Sequence, residues 1–216
     1  MRRFTLALLT TLVALPMTGA GAQIIRSGRF GLRDPQTWLS ATMGWQNGWT
    51  VFDGQTSSRW DLGDSQTYGG SIERAVASGV TLGVRANTAA PTVRYTSASV
   101  PDVRVADTRV TQALGVVHVS AGRDFRSVFE LGLGATFYSP FRENGTDVQL
   151  GPSKTDTDFA FVFVYGLGYS FSRNFHVDVV QDLGTSLHQR TGLTAGEDTS
   201  ARITSTRLVA RYGFGG

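Results

Sequence analysis

The sequence contains no cysteine, only 6 prolines in 216 residues, and no apolar run reaching the roughly 20 residues that a membrane-spanning helix needs. The first absence removes disulfide staples and thiol chemistry. The third leaves two options for the mature chain: a water-soluble protein outside the cytoplasm, or one held in a membrane by something other than a helix. Positive charge is also in small excess, a formal +3. Charges of both signs are interspersed, no basic patch stands out, and a nucleic-acid partner is not expected. What the chain does have is glycine, 26 residues of it, and 41% apolar residues spread along its length. That composition favours many short extended elements in one compact domain.

The opening, MRRFTLALLTTLVALPMTGAGAQ, has two arginines, an apolar stretch from Phe4 to Leu15, a helix-ending Pro16 and a small-x-small AGA. These are the parts of a secretory leader cut after Ala22. Its removal takes Arg2 and Arg3 with it, so the formal charge falls from +3 to +1. The expected organisation is a leader over 1–22, a periplasmic segment over 23–36 and a barrel domain over 37–216.

The greasiest internal stretch, DFAFVFVYGLGYSF, stops after fourteen residues (Asp158 to Phe171). Its odd positions are Phe159, Phe161, Phe163, Tyr165, Leu167, Tyr169 and Phe171; its even positions are Ala160, Val162, Val164, Gly166, Gly168 and Ser170. A period of two is a strand with bulk on one face and small residues on the other. Bulk outside and small residues inside suit a narrow closed barrel whose outer wall meets acyl chains.

Seven further segments alternate similarly: Thr37 to Gln46, Thr67 to Ala77, Val80 to Ala89, Arg109 to Ala121, Ser127 to Ser139, Phe175 to Gly184 and Ala201 to Phe214. In the fourth strand, 109–121, Val116, Val117 and Val119 break the alternation and leave its facing open. The connections alternate too. Ser78-Gly79, Gly122 to Arg126 and Ser172 to Asn174 are short enough for hairpin turns, whereas 47–66, 90–108, 140–157 and 185–200 are long and polar. Short turns at one end and long loops at the other predict an all-β, eight-stranded antiparallel up-and-down transmembrane β-barrel, with periplasmic turns and extracellular loops. Closure is required because an open edge in hydrocarbon would strand its N–H and C=O groups. Trp38, Phe171, Phe175, Tyr212 and Phe214 near the turns, and Trp45, Trp49, Tyr95, Tyr138 and Phe159 near the loops, suggest two interfacial girdles.

WLSATMGWQ, YGGSIERAVASGVTLGVR, ELGLGATF and RLVARYGF carry a resemblance to the small eight-stranded outer-membrane barrels of the OmpA, OmpX and OmpW type, including the outer membrane protein beta-barrel domain family. The resemblance implies a monomer in the outer membrane, in contact with its lipid and inserted by the barrel-assembly machinery. Phe214 takes the place of the family's terminal aromatic, although Gly215 and Gly216 follow it.

The predicted inward faces collect Glu73, Arg85, Glu130, His176, Asp178, Asp182, Arg207 and Arg211, with Asn87 and Gln112 beside them. Buried charge persists only when paired, so a salt-bridged plug is expected; a narrow conducting path is the alternative. The HVS at His118 and Ser120, with Glu130, resembles the H-x-S element of lipid A 3-O-deacylases, but it falls near the periplasmic rim and Glu130 points inward. The histidines lack zinc-site spacing, and ELGLGA and YGLGY do not complete a dinucleotide motif. No cofactor or catalytic residue is expected. The acidic Asp156 to Asp158 is read as a solvated loop tip. In the first long loop Trp49, Phe52 and Trp60 are candidates either for contact with a partner or for folding back over the barrel mouth. The function expected is therefore non-enzymatic, structural or surface-interacting, with an OmpW-like carrier as alternative.

Overall fold

The computed structural model describes residues 34–53, 58–97, 100–144, 146, 149–150, 156–187 and 200–215. The expected leader and most of the 23–36 segment lie outside them. Every regular element among the described residues is a strand. Eight of them close a barrel: β1 (Thr37–Gln46), β4 (Ser65–Ala77), β5 (Val80–Ala89), β8 (Val110–Gly122), β9 (Phe125–Tyr138), β12 (Asp156–Ser170), β13 (Phe175–Leu187) and β14 (Ser200–Phe214). Neighbours pair antiparallel, and the ring closes where β1 meets β14, from Thr37 opposite Phe214 to Gln46 opposite Ser205. The β4–β5 hairpin turns at Ser78-Gly79, where Gly79 has φ 72, a left-handed conformation that favours glycine.

Alternation sets the two faces. Along β12, Phe159, Phe161 and Leu167 are exposed, while Ala160, Val162 and Val164 are at most 1% exposed. Leu82, Leu131, Leu133, Val179 and Leu208 are likewise exposed on the outer wall. The facing of β8, open from sequence, is settled: Leu114, Val116 and His118 point in, Val117 and Val119 out. An apolar outer wall around an interior holding ionised groups is the arrangement of a membrane-spanning barrel.

The long connections depart from expectation. Instead of irregular polar loops, three of them carry β2 (Trp49–Asp53) with β3 (Ser58–Leu62), β6 (Thr92–Ser97) with β7 (Val100–Asp107), and β10 (Phe141–Glu143) with β11 (Gln149–Leu150). These pair edge to edge into a second sheet ordered β11-β10-β7-β6-β3-β2. Trp49, Trp60, Leu62, Val93 and Ala106 from this sheet pack with Val110, Tyr138, Ala201 and Ile203 from the barrel ends. Burying an aromatic side chain removes about 150–250 Å² from water, which ties the hairpins down over the barrel mouth. Trp49 and Tyr138 are thus interior residues and not part of a girdle.

Candidate functional site

The site lies in the lumen, on inward positions of seven strands. Arg85 on β5 donates through Nη1 to Glu130 Oε1 on β9, and the same nitrogen lies 3.9 Å from Asp182 Oδ1 on β13. Arg207 on β14 holds Asp182 in a fork, Nε to Oδ2 at 2.7 Å and Nη2 to Oδ1 at 2.8 Å. Ser205 Oγ donates to the same carboxylate at 2.9 Å. Nearer the short turns, Arg211 Nη2 donates to Glu73 Oε2 at 2.6 Å, and Arg126 Nη2 to Asp178 Oδ1 at 2.6 Å. Glu73 also accepts from Thr81 Oγ1 and, at 2.6 Å, from Ser71 Oγ, which meets Ser40 Oγ at 2.7 Å. Four arginines therefore face four carboxylates, all buried. Bidentate and charge-assisted contacts of this kind are the strongest hydrogen bonds available to side chains.

His118 joins the two halves of this lattice. Its Nε2 meets Arg211 Nη1, and its Nδ1 lies 3.6 Å from Glu130 Oε2. A guanidinium only donates, so Nε2 accepts and the ring proton sits on Nδ1, facing Glu130. Both ring nitrogens are thereby committed, and neither serves Ser120 as a base. Glu73, His118 and Glu130 each bring a ligand-type atom within 4.8 Å of the others. That set does not fit a cation, since Glu73 Oε2 and His118 Nε2 already bind Arg211, and Arg85 occupies Glu130.

Of the residues singled out from sequence, Glu73, Arg85, Glu130, Asp178, Asp182, Arg207 and Arg211 lie in this lattice. His176 is half-buried at the short-turn end, its ring centroid 4.6 Å from that of Trp38. Trp38 in turn lies under the Arg211 guanidinium at 5.5 Å, so it forms the lumen floor and not a girdle. Trp49 and Trp60 are both 7% exposed in the layer above the barrel; Phe52 belongs to β2, and its side chain lies outside the described residues. Asp158, expected at a loop tip, is 1% exposed inside β12 and accepts from Ser186 Oγ at 3.2 Å.

Arg126 was hidden by its assignment to a turn. β9 starts at Phe125, two residues before the expected Ser127, and Arg126, Val128 and Glu130 share its inward period. His118 stood out in the sequence only within the HVS element; its place in the lattice was not legible because the valines around it left the facing of β8 open.

Beside the lattice, Leu114, Val116, Val128, Ala160, Val162, Val164, Val180 and Val209 form a buried apolar cluster. The cavity left beside the ionic lattice measures about 20 Å³, room for about one water.

No family model matches the chain, and no curated protein matches it. Among solved structures, Neisserial surface protein A (NspA) superposes with a TM-score of 0.55 at 10% identity, over 82% of this chain and 97% of that one. The outer membrane protein OprG from Pseudomonas aeruginosa superposes with a TM-score of 0.53 at 10% identity, over 85% and 98%. The chain has the fold of the small eight-stranded outer-membrane barrels. Within that fold, this barrel combines a lumen crossed by ion pairs, a Trp38–His176 floor and a β-sheet fastened over the opposite mouth.

Proposed function

We propose that the chain is a sealed, non-enzymatic outer-membrane barrel whose task is to hold a β-sheet platform at the cell surface for contact with other surfaces or molecules. The observation that carries this reading is the packing of the mid-lumen by four arginine–carboxylate pairs and a valine-rich cluster, beside which a cavity of about 20 Å³ remains. The floor under Arg211 and the Trp49–Trp60 layer at the other end support it. The platform's outward face offers Thr50, Asp61, Arg94 and Val105 in one row across four strands. Catalysis by His118 is disfavoured because its ring nitrogens already serve Arg211 and Glu130.

Planar-bilayer recording combined with protease shaving of intact cells tests the proposal. The expected result is no unitary conductance, with external cleavage confined to the 47–66, 90–108, 140–157 and 185–200 connections. Steady single-channel steps from the wild-type chain would favour the narrow-carrier reading instead, and cleavage at the short turns would reverse the orientation.

A further inference from the structure

Midway along β13 the outer wall carries an amide where hydrocarbon is expected. On β13 the outward residues run Phe175, Val177, Val179, Gln181, Leu183, Thr185 and Leu187, so Gln181 sits midway along the strand. Its register partners are Thr206 on β14 and Tyr165 on β12, both outward as well. Thr206 Oγ1 donates to Gln181 Oε1 at 2.7 Å, and Gln181 Nε2 reaches the Asp182 carbonyl only at 3.4 Å. One amide hydrogen and one carbonyl lone pair of Gln181 remain, with the Tyr165 hydroxyl one strand away. Acyl chains offer these groups neither donor nor acceptor.

A carboxamide is its own complement: it donates and accepts, so two copies related by a two-fold axis satisfy each other. Isologous pairing of this kind brings the same patch together from both subunits, and polar side chains flanked by apolar ones hold membrane segments together. Val179, Leu183, Leu167 and Leu208 surround the amide with exposed apolar side chains that would form a dry rim. We propose that two copies of this chain pair in the bilayer through the β12–β13–β14 wall, centred on Gln181. This departs from the monomer implied by the family resemblance, and it stands independently of whether the lumen is sealed.

The absence of native cysteine makes a direct test available. Val179→Cys places a thiol beside the proposed axis; Val84→Cys places one on β5, four strands around the ring. Oxidation of outer membranes is expected to yield a disulfide-linked dimer of the chain from Val179→Cys and none from Val84→Cys. Adding Gln181→Leu to the Val179→Cys background should weaken self-association roughly tenfold, the effect of losing two hydrogen bonds within a membrane. Unchanged heat-modifiable migration of each variant would verify folding, since leucine suits a lipid-facing position. A missing dimer, equal cross-linking from both positions, capture of a different protein, or indifference to Gln181→Leu would each overturn the proposal.

Discussion

Arg211 Nη2 and Glu73 Oε2 stand 2.6 Å apart although 138 residues separate them in the chain. The contact spans β1, which lies between β14 and β4 in the closed ring. It therefore exists only when the ring is shut, and it makes the ionic lattice a fastening across the seam.

Removing one member of that pair leaves a buried charge without its partner. Glu73→Gln and Arg211→Leu are each expected to destabilise the barrel by about 3–5 kcal/mol. The double substitution should cost clearly less than the sum of the two, because no lone charge remains. Urea unfolding in lipid vesicles, followed by heat-modifiable migration, measures both. Additive losses would mean that the contact contributes nothing of its own.

Gly168 tests the same lattice through space. A Cβ built there would meet the Asp178 carboxylate and lie 3.2 Å from Arg126 Nη2. Gly168→Leu should expel the Arg126–Asp178 pair and destabilise the barrel by at least about 3 kcal/mol, the cost of breaking a buried ion pair, whereas Gly115→Ala on the outer wall, whose Cβ would meet nothing closer than 3.7 Å, should leave unfolding nearly unchanged.

On the outer wall the expected effect has another origin. Leu131 lies midway along β9 and is 49% exposed to what is read as hydrocarbon. Leu131→Arg should cost about 2–4 kcal/mol in a bilayer. The same substitution at an exposed position of the second sheet, such as Val103→Arg, should cost almost nothing.

Trp60→Ala should cost about 3–5 kcal/mol, by leaving a hole beside Tyr95 and Phe141, whose rings lie 4.0 and 4.9 Å from it. Faster proteolysis of β2 and β3 with the barrel still resistant is the expected readout. Arg59→Ala, which removes an exposed pair with Asp61, should be near neutral.

Asp61 also gives the platform a mild acid sensitivity. Partial burial raises its carboxyl pKa, but hydrogen bonds from Thr50 and Arg59 and the charges of Arg59 and Arg94 outweigh it and hold the pKa below the usual 3.8. A depressed folded value means the contribution is complete above pH 4 or so and is lost as pH falls through the folded value. A carbon-detected titration should show Asp61 protonating after an unfolded reference, with the β2–β3 hairpin loosening in step.

The barrel was legible from sequence because lipid forces every strand into the same period. Phe159 to Phe171 could point only one way, and once they did, Glu130, Asp178 and Arg207 had to point the other. Pairing within the lumen was not legible, because it depends on register between strands far apart in the chain: Arg126 finds Asp178 across β12. The second sheet was missed for a different reason. Its hairpins are polar on the outer face and interrupted, and their apolar residues, Trp60, Val93 and Ala106, are too few per strand to set a period. Only the neighbouring hairpins and the barrel rim supply the partners that make them strands.

The seam between Thr37–Gln46 and Ser200–Phe214 bears on the timing of assembly. β14 must hydrogen-bond to β1, so none of the barrel strands between them can be finished alone. Until Phe214 comes opposite Thr37 the growing sheet keeps two raw margins, and a bilayer tolerates neither. Closure of this barrel is thus a single event, and a barrel lacking β14 has no intermediate resting shape in lipid.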